Sequence, residues 1–174
     1  MSAQIDASAK MANQWDPIAK EGSMAVSPIP KGYHTITPQL SLDGAAAAID
    51  FYKRAFGAEV IDQAPDPSGK KIWHASLRIG DSMLMVNDVF PEMGAGASQS
   101  SLWLYVTDVD ASFKRAVDAG AKATMPPTDM FWGDRFASVS DPFGQRWSIA
   151  TRVKEMTPEQ QGKAAAAFAA KSKS

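Results

Sequence analysis

From residue 34 onward, apolar and polar positions alternate, regroup at helical spacing, then alternate again, and the whole series occurs twice. Over 34–42, Ile36, Leu40 and Leu42 fall on one face and Thr37, Gln39 and Ser41 on the other, the period-two pattern of a half-buried strand. Asp43 is the predicted N-cap of a helix carrying Ile49, Tyr52 and Phe56 on one side, and Gly57 is its predicted left-handed stop. Strands are predicted over 58–63, 71–79 and 83–87, with turns at Asp66-Pro67-Ser68-Gly69 and Gly80-Asp81. After a Gly/Ala/Ser-rich linker at 92–100, residues 101–108 alternate, with Leu102, Leu104 and Val106 opposite Ser101, Trp103 and Tyr105. Asp108 or Asp110 then caps a helix with Val109, Phe113, Ala116 and Val117 on one side, ended by Gly120. A short strand over 121–125 is broken by Pro126-Pro127. Strands over 135–140 and 146–151 flank a turn at Asp141-Pro142-Phe143-Gly144.

The halves share letters as well as pattern. Lys53-Arg54-Ala55 recurs as Lys114-Arg115-Ala116, Gly57-Ala58 as Gly120-Ala121, and Ala75-Ser76-Leu77 as Ala137-Ser138-Val139. A repeat at a nearly fixed offset is stronger evidence for a fold than any single strand. The expected class is α+β, with two tandem βαβββ modules forming a curved mixed sheet around a cleft, module one at 33–90 and module two at 101–152 of a domain spanning 33–152. Residues 1–32 read as an extended arm, because Pro28 and Pro30 forbid helix, and Trp15 and Met24 could dock it. Residues 153–174 read as an Ala-rich helix and tail, with Pro158 in its first turn.

Helix and sheet bury their apolar faces together, so alternation assigns the opposite sheet face to Thr37, Gln39, His74, Ser76, Arg78, Ser101, Trp103, Tyr105, Phe136, Ser138 and Ser148. Trp73 and Trp147 go to the helix side. Hydroxyls, aromatics, a cation and an imidazole on one face suit a ligand pocket better than a packed core. Trp103, Tyr105, Phe131, Trp132 and Phe136 are candidate ring surfaces for a planar or conjugated ligand. His74 is the candidate acid/base or hydrogen-bonding residue, against the plainer reading of a strand histidine satisfied by a neighbouring hydroxyl. His34 reads as a surface residue at a strand start. Asp134 and Arg135 could pair with each other or grip a charged ligand.

The chain has 174 residues, 45% of them apolar and 21% charged, with a formal net charge of -1, which argues against a phosphate-tracking surface and nucleic acid as a partner. There is no cysteine, so disulfides, thiolate metal sites and cysteine nucleophiles are excluded, consistent with a cytoplasmic protein. No stretch approaches the ~18 residues of apolar sequence needed to span a bilayer, and no membrane association is expected.

The motifs resemble the vicinal oxygen chelate superfamily, which takes in glyoxalase, bleomycin-resistance and extradiol dioxygenase proteins. The residues that carry the resemblance are Ala48-Ile49-Asp50-Phe51-Tyr52 before Phe56-Gly57-Ala58, His74 to Asp81, and Phe131-Trp132-Gly133-Asp134-Arg135 before Asp141-Pro142-Phe143-Gly144-Gln145-Arg146-Trp147. They look most like the branch labelled PhnB-like. In the metal enzymes of that superfamily, His, Gln or Glu ligands stand on the first and last strands of each module. The resemblance places those positions here on Thr37, with Gln39 two residues on, Leu84 or Met85, Ser101 and Ser148, and none of Ser, Thr, Leu or Met is an adequate ligand alone. It therefore implies a metal-free cleft that binds a small molecule, with no cofactor expected and a divalent metal possible only at a non-standard site. It also implies a homodimer. The alternative is an atypical lyase, isomerase or hydrolase that uses His74 as acid/base or as a relocated metal ligand.

Overall fold

The protein's structure is a computed structural model that describes residues 27–93 and 96–171. The chain divides into Met1–Lys31 and Gly32–Ser174. In the first unit, the Ser27 hydroxyl donates to the Ile29 carbonyl. Trp15 and Met24 of the expected arm lie outside the described residues.

The second unit holds β1 (Gln39–Leu42), α1 (Ala45–Phe56), β2 (Glu59–Pro65), β3 (Ile72–Ile79), β4 (Ser82–Asp88), β5 (Ser101–Tyr105), α2 (Val109–Asp118), β6 (Lys122–Asp129), β7 (Asp134–Ser140), β8 (Arg146–Arg152) and α3 (Pro158–Lys171). One four-stranded sheet runs β1-β4-β3-β2 and the other β5-β8-β7-β6. In each, the first strand of the module lies parallel to the last and the remaining neighbours are antiparallel. This is the expected α+β fold of two βαβββ modules, with each module forming its own four-stranded mixed sheet rather than both forming one curved sheet.

Several details differ from the sequence reading. Strand β1 starts at Gln39, five residues later than predicted, because Pro38 has no N–H to give a ladder; Ile36, assigned to the buried face, is 85% exposed. Asp43 does not cap α1. The N-cap is Gly44, one residue further on, and the capping carboxylate comes from the end of β4, where Asp88 Oδ1 accepts from the Gly44 and Ala45 N–H groups. The C-terminal stop is as predicted: Gly57 adopts φ 69°, and its N–H reaches the Lys53 carbonyl. In module two, Asp108 is the cap, accepting from the Ala111 N–H. Pro126 and Pro127 do not break β6. They sit in the register slip between Met125 and Thr128 on the outermost strand, where a missing N–H leaves no ladder bond unmade. Trp73 is 48% exposed and lies against Phe90, not against a helix, because it is the unpaired extra residue where the register slips between Ala64/His74 and Pro65/Ile72.

One hydrophobic core takes side chains from both modules, and α1 packs on α2. Phe56 and Tyr52 of α1 meet Trp147 of β8 at ring distances of 4.3 and 5.3 Å. The helices thus lie between the two sheets, and the opposite sheet faces turn away from the shared core. The Asp141 carboxylate fastens the modules. It accepts from the Tyr52 hydroxyl at 2.9 Å, the Trp147 indole N–H at 3.0 Å and the Phe143 and Gln145 N–H groups. Burial, with the Asp141 charge beside it, pushes the Tyr52 hydroxyl far above the ordinary tyrosine range. Buried Gln145 holds the linker, receiving the Ser100 N–H and donating to the Ser98 carbonyl.

Candidate functional site

On the outward face of the second sheet, β5 presents Trp103 and Tyr105, 49% and 58% exposed. Trp103 lies 5.1 Å from the Phe136 ring of β7 and 6.0 Å from Tyr105. Phe136 meets Trp132 at 5.9 Å, Trp132 meets Phe131 at 5.0 Å, and Phe131 meets Phe168 of α3 at 5.2 Å. These rings are held from behind by Asp134, which is 1% exposed. Its carboxylate accepts from the Tyr105 hydroxyl, the Trp132 indole N–H and the Arg152 guanidinium. Tyr105 and Asp134 together keep Arg152 more firmly protonated than a free arginine. The buried charge is therefore paired and hydrogen-bonded, as a desolvated carboxylate must be. Gly133 completes the turn before β7 at φ 97°, and a Cβ there would stand 2.3 Å from the Lys154 carbonyl oxygen. The turn and the departing C-terminal segment are thus pressed together, with the Val153 and Lys154 N–H groups both bonded to the Gly133 carbonyl.

Asp134 and Arg135 do not pair with each other. Arg135 forks onto Asp110 of α2 and reaches Asp129 of β6, and its hydrogen bonds hold the Asp110 carboxyl below the usual carboxylate range. Both are thereby committed within the protein.

The outward face of the first sheet is polar and largely satisfied. The Tyr33 hydroxyl donates to Ser76 Oγ at 2.6 Å, Ser76 is 1% exposed, and His74 Nε2 stands 3.0 Å from the same oxygen. Asp62 lies 3.8 Å from that same Nε2, so the three residues are not a relay in which a carboxylate orients the far ring nitrogen. Arg78 is paired with Glu59, and Gln39, Ser41 and Asn87 bond one another.

A groove of about 700 Å³ runs along the open edge of β5, bounded on the module-one side by the β3–β4 hairpin and the segment before β1. Of the sequence-predicted residues it brings together Thr37, Trp103 and Tyr105, with His34 beside them. Gln39, His74, Ser76, Arg78, Ser101, Phe131, Trp132, Phe136 and Ser148 lie outside it. Ser148 is buried beside Trp103 in the parallel ladder, whereas Ser101 is exposed. Ser112 and Arg115 of α2 line the groove and were not anticipated, although the Arg54/Arg115 repeat was a usable signal.

The positions where the resemblance implies metal ligands, Thr37 with Gln39 nearby, Leu84 or Met85, Ser101 and Ser148, carry hydroxyls, an amide and apolar side chains, and the Gln39 amide is bonded to Asn87. Among the described residues, no three of His, Cys, Asp and Glu come together as a metal site would require. The residues present do not fit the usual ion. Among the described residues, no helix is long and apolar enough to cross a membrane.

The uncharacterised protein Rv0887c of Mycobacterium tuberculosis is 42% identical over 134 residues, covering 72% of this chain and 78% of that protein. The anthracycline biosynthesis protein DnrV of Streptomyces peucetius is 31% identical over 111 residues, 64% of this chain and 38% of its own. Among solved structures, TnmS3, an antibiotic binding protein from Streptomyces sp. CB03234, superposes with a TM-score of 0.52 at 27% identity, covering 75% of this chain and 99% of that one. The model of the Glyoxalase/Bleomycin resistance protein/Dioxygenase superfamily matches residues 34–149, and with the paired βαβββ modules just described, this chain belongs to that superfamily.

Proposed function

We propose that this protein is a binding module that holds a small planar, aromatic or conjugated molecule against Trp103 and Tyr105, with Phe136 packed behind them, without using a metal. The observation that carries the reading is the exposure of Trp103. A tryptophan backed by a ring at 5.1 Å yet half open to solvent is a ready stacking surface. Asp134 supports it by fixing the polar ends of Tyr105 and Trp132, so little ordering remains to be done on binding. The relatives agree in kind: TnmS3 is named for binding an antibiotic and DnrV for the biosynthesis of anthracyclines, which are planar polycycles.

The wall covers one side of a flat ligand. A second copy of the chain, laying its polar sheet face opposite, would cover the other, so the reading takes the protein to act as a homodimer with a two-fold axis. Sedimentation velocity tests this part: a single monomer boundary at micromolar concentration rejects it.

The test of the binding reading is quenching of tryptophan fluorescence by an anthracycline. Trp103→Ala is expected to weaken binding about tenfold, the loss of one good ring contact. Unchanged affinity in that variant, or no quenching by any polycyclic probe, rejects the reading.

The contact of His74 with Ser76 favours a second reading, an enzyme using His74 as acid/base. A turnover that survives His74→Ala removes it.

A further inference from the structure

The structure assigns to this groove a second recognition element, an anion-binding end formed by Arg115 with Arg54, so that the favoured ligand is an aromatic acid. This rests on the aromatic wall already proposed and adds the charge of what it holds. The same groove that takes in Trp103 and Tyr105 is also lined by Ser112 and Arg115 of α2. Leu102, Leu104 and Trp147 give it apolar lining, and Asp81 of the β3–β4 hairpin is the carboxylate in its lining. A molecule lying across the open edge of β5 therefore has both rings and a guanidinium in the same groove.

Arg115 is available for that role. Of the other arginines, Arg78, Arg135 and Arg152 are each paired with a carboxylate. Arg115 is exposed, and among the described residues its side chain bonds Ser112 Oγ at 3.0 Å, which aims the guanidinium and leaves donors over. The packing of α1 on α2 brings a second cation to the same place: Arg54 and Arg115 line one depression together with Asp118. The carboxylate of Asp118 is engaged by Lys114 one turn away. Arg54 and Arg115 occupy equivalent positions in the two repeats, Lys53-Arg54-Ala55 and Lys114-Arg115-Ala116, and both side chains border that depression. Two planar forks with unused donors, next to an apolar groove, suit a carboxylate or similar oxyanion carried by an apolar body.

The experiment compares anthraquinone-2-carboxylate with anthraquinone-2-carboxamide, two probes of one ring system that differ in charge, by fluorescence quenching of the full chain at low salt. Wild type is expected to prefer the carboxylate about tenfold, as a charge-assisted contact predicts. Arg115→Gln should bring that ratio close to one, and Arg54→Gln should lower it part of the way. Lys163→Gln, which removes a cation paired with Glu159 on α3, should keep the full preference. A ratio near one in wild type overturns the inference while the aromatic wall stands, since the carboxamide still binds. A preference that persists in the Arg54→Gln/Arg115→Gln double variant, or that falls equally in Lys163→Gln, overturns it too. Failure of both probes to quench wild type overturns the aromatic wall along with it. Melting curves of each variant confirm that a lost preference reflects a folded protein.

Discussion

The two modules repeat one topology, yet equivalent carboxylates do unequal work in them. Asp81 and Asp141 each follow the penultimate strand of their module, at the hairpin into the last. Asp81 is exposed and, among the described residues, accepts from neighbouring Ser82. Asp141 is 5% exposed and accepts from four donors, one of them on the other module's helix. The helix starts differ in the opposite sense. Module one's is held by Asp88, a long-range carboxylate that also accepts from the Ile72 N–H, whereas module two's is held by its own Asp108. Repetition thus preserved the strand order while the long-range bonds were assigned separately in each half. A residue's worth is set by how many buried donors depend on it.

That comparison can be broken by substitution. Asp141→Ala strands the Tyr52 hydroxyl, the Trp147 indole and two backbone N–H groups, and should lower stability by about 4 kcal/mol; Asp81→Ala should change it by less than about 0.5 kcal/mol. Chemical denaturation of both variants measures the contrast, and equal losses would refute it. Asp88→Ala leaves three backbone N–H groups without an acceptor and should cost about 3 kcal/mol, against about 1 kcal/mol for loss of the local cap in Asp108→Ala. The smallest effect is confined to alkali. Because the folded hydroxyl of Tyr52 titrates above its unfolded value of about 10, its contribution is fully present below about pH 10 and is lost as the pH rises past that point. Tyr52→Phe should flatten the stability profile there; an unaltered alkaline slope would show that other groups govern it.

Much of this architecture was legible from the sequence because its signals are local and come twice. Helical spacing in Ile49, Tyr52 and Phe56, glycine at position 57, and alternation in 101–105 all name their own elements. What could not be read was set at a distance. Asp43 looked like the cap because it is adjacent, and the true cap arrives from a strand more than forty residues on. Trp73 leaves the alternation because it is the extra residue of a register slip, unpaired between His74 opposite Ala64 and Ile72 opposite Pro65. Pro126 and Pro127 broke a strand on paper because nothing in the letters says that β6 lies at a sheet edge. The aromatic residues are legible one by one, while nothing in the letters around Asp134 tells that its carboxylate turns to Tyr105, Trp132 and Arg152 rather than to Arg135 or a charged ligand. The groove at Arg115 was missed for a related reason: helix residues were read as core or solvent face, and only packing of α1 on α2 gives that helix face a neighbour.

The clasp between Tyr52, Asp141 and Trp147 also bears on how the chain comes apart. Two copies of a compact module invite the expectation of two melting events, as in a string of beads. Here neither half owns its interior: Phe56 of the first leans on Trp147 of the second, and the carboxylate that closes the second turn is filled by a hydroxyl from the first. The halves therefore stand or fall as one cooperative unit. Either half expressed alone would expose its aromatic interior to water, so a gene-duplicated outline has become, energetically, a single indivisible body.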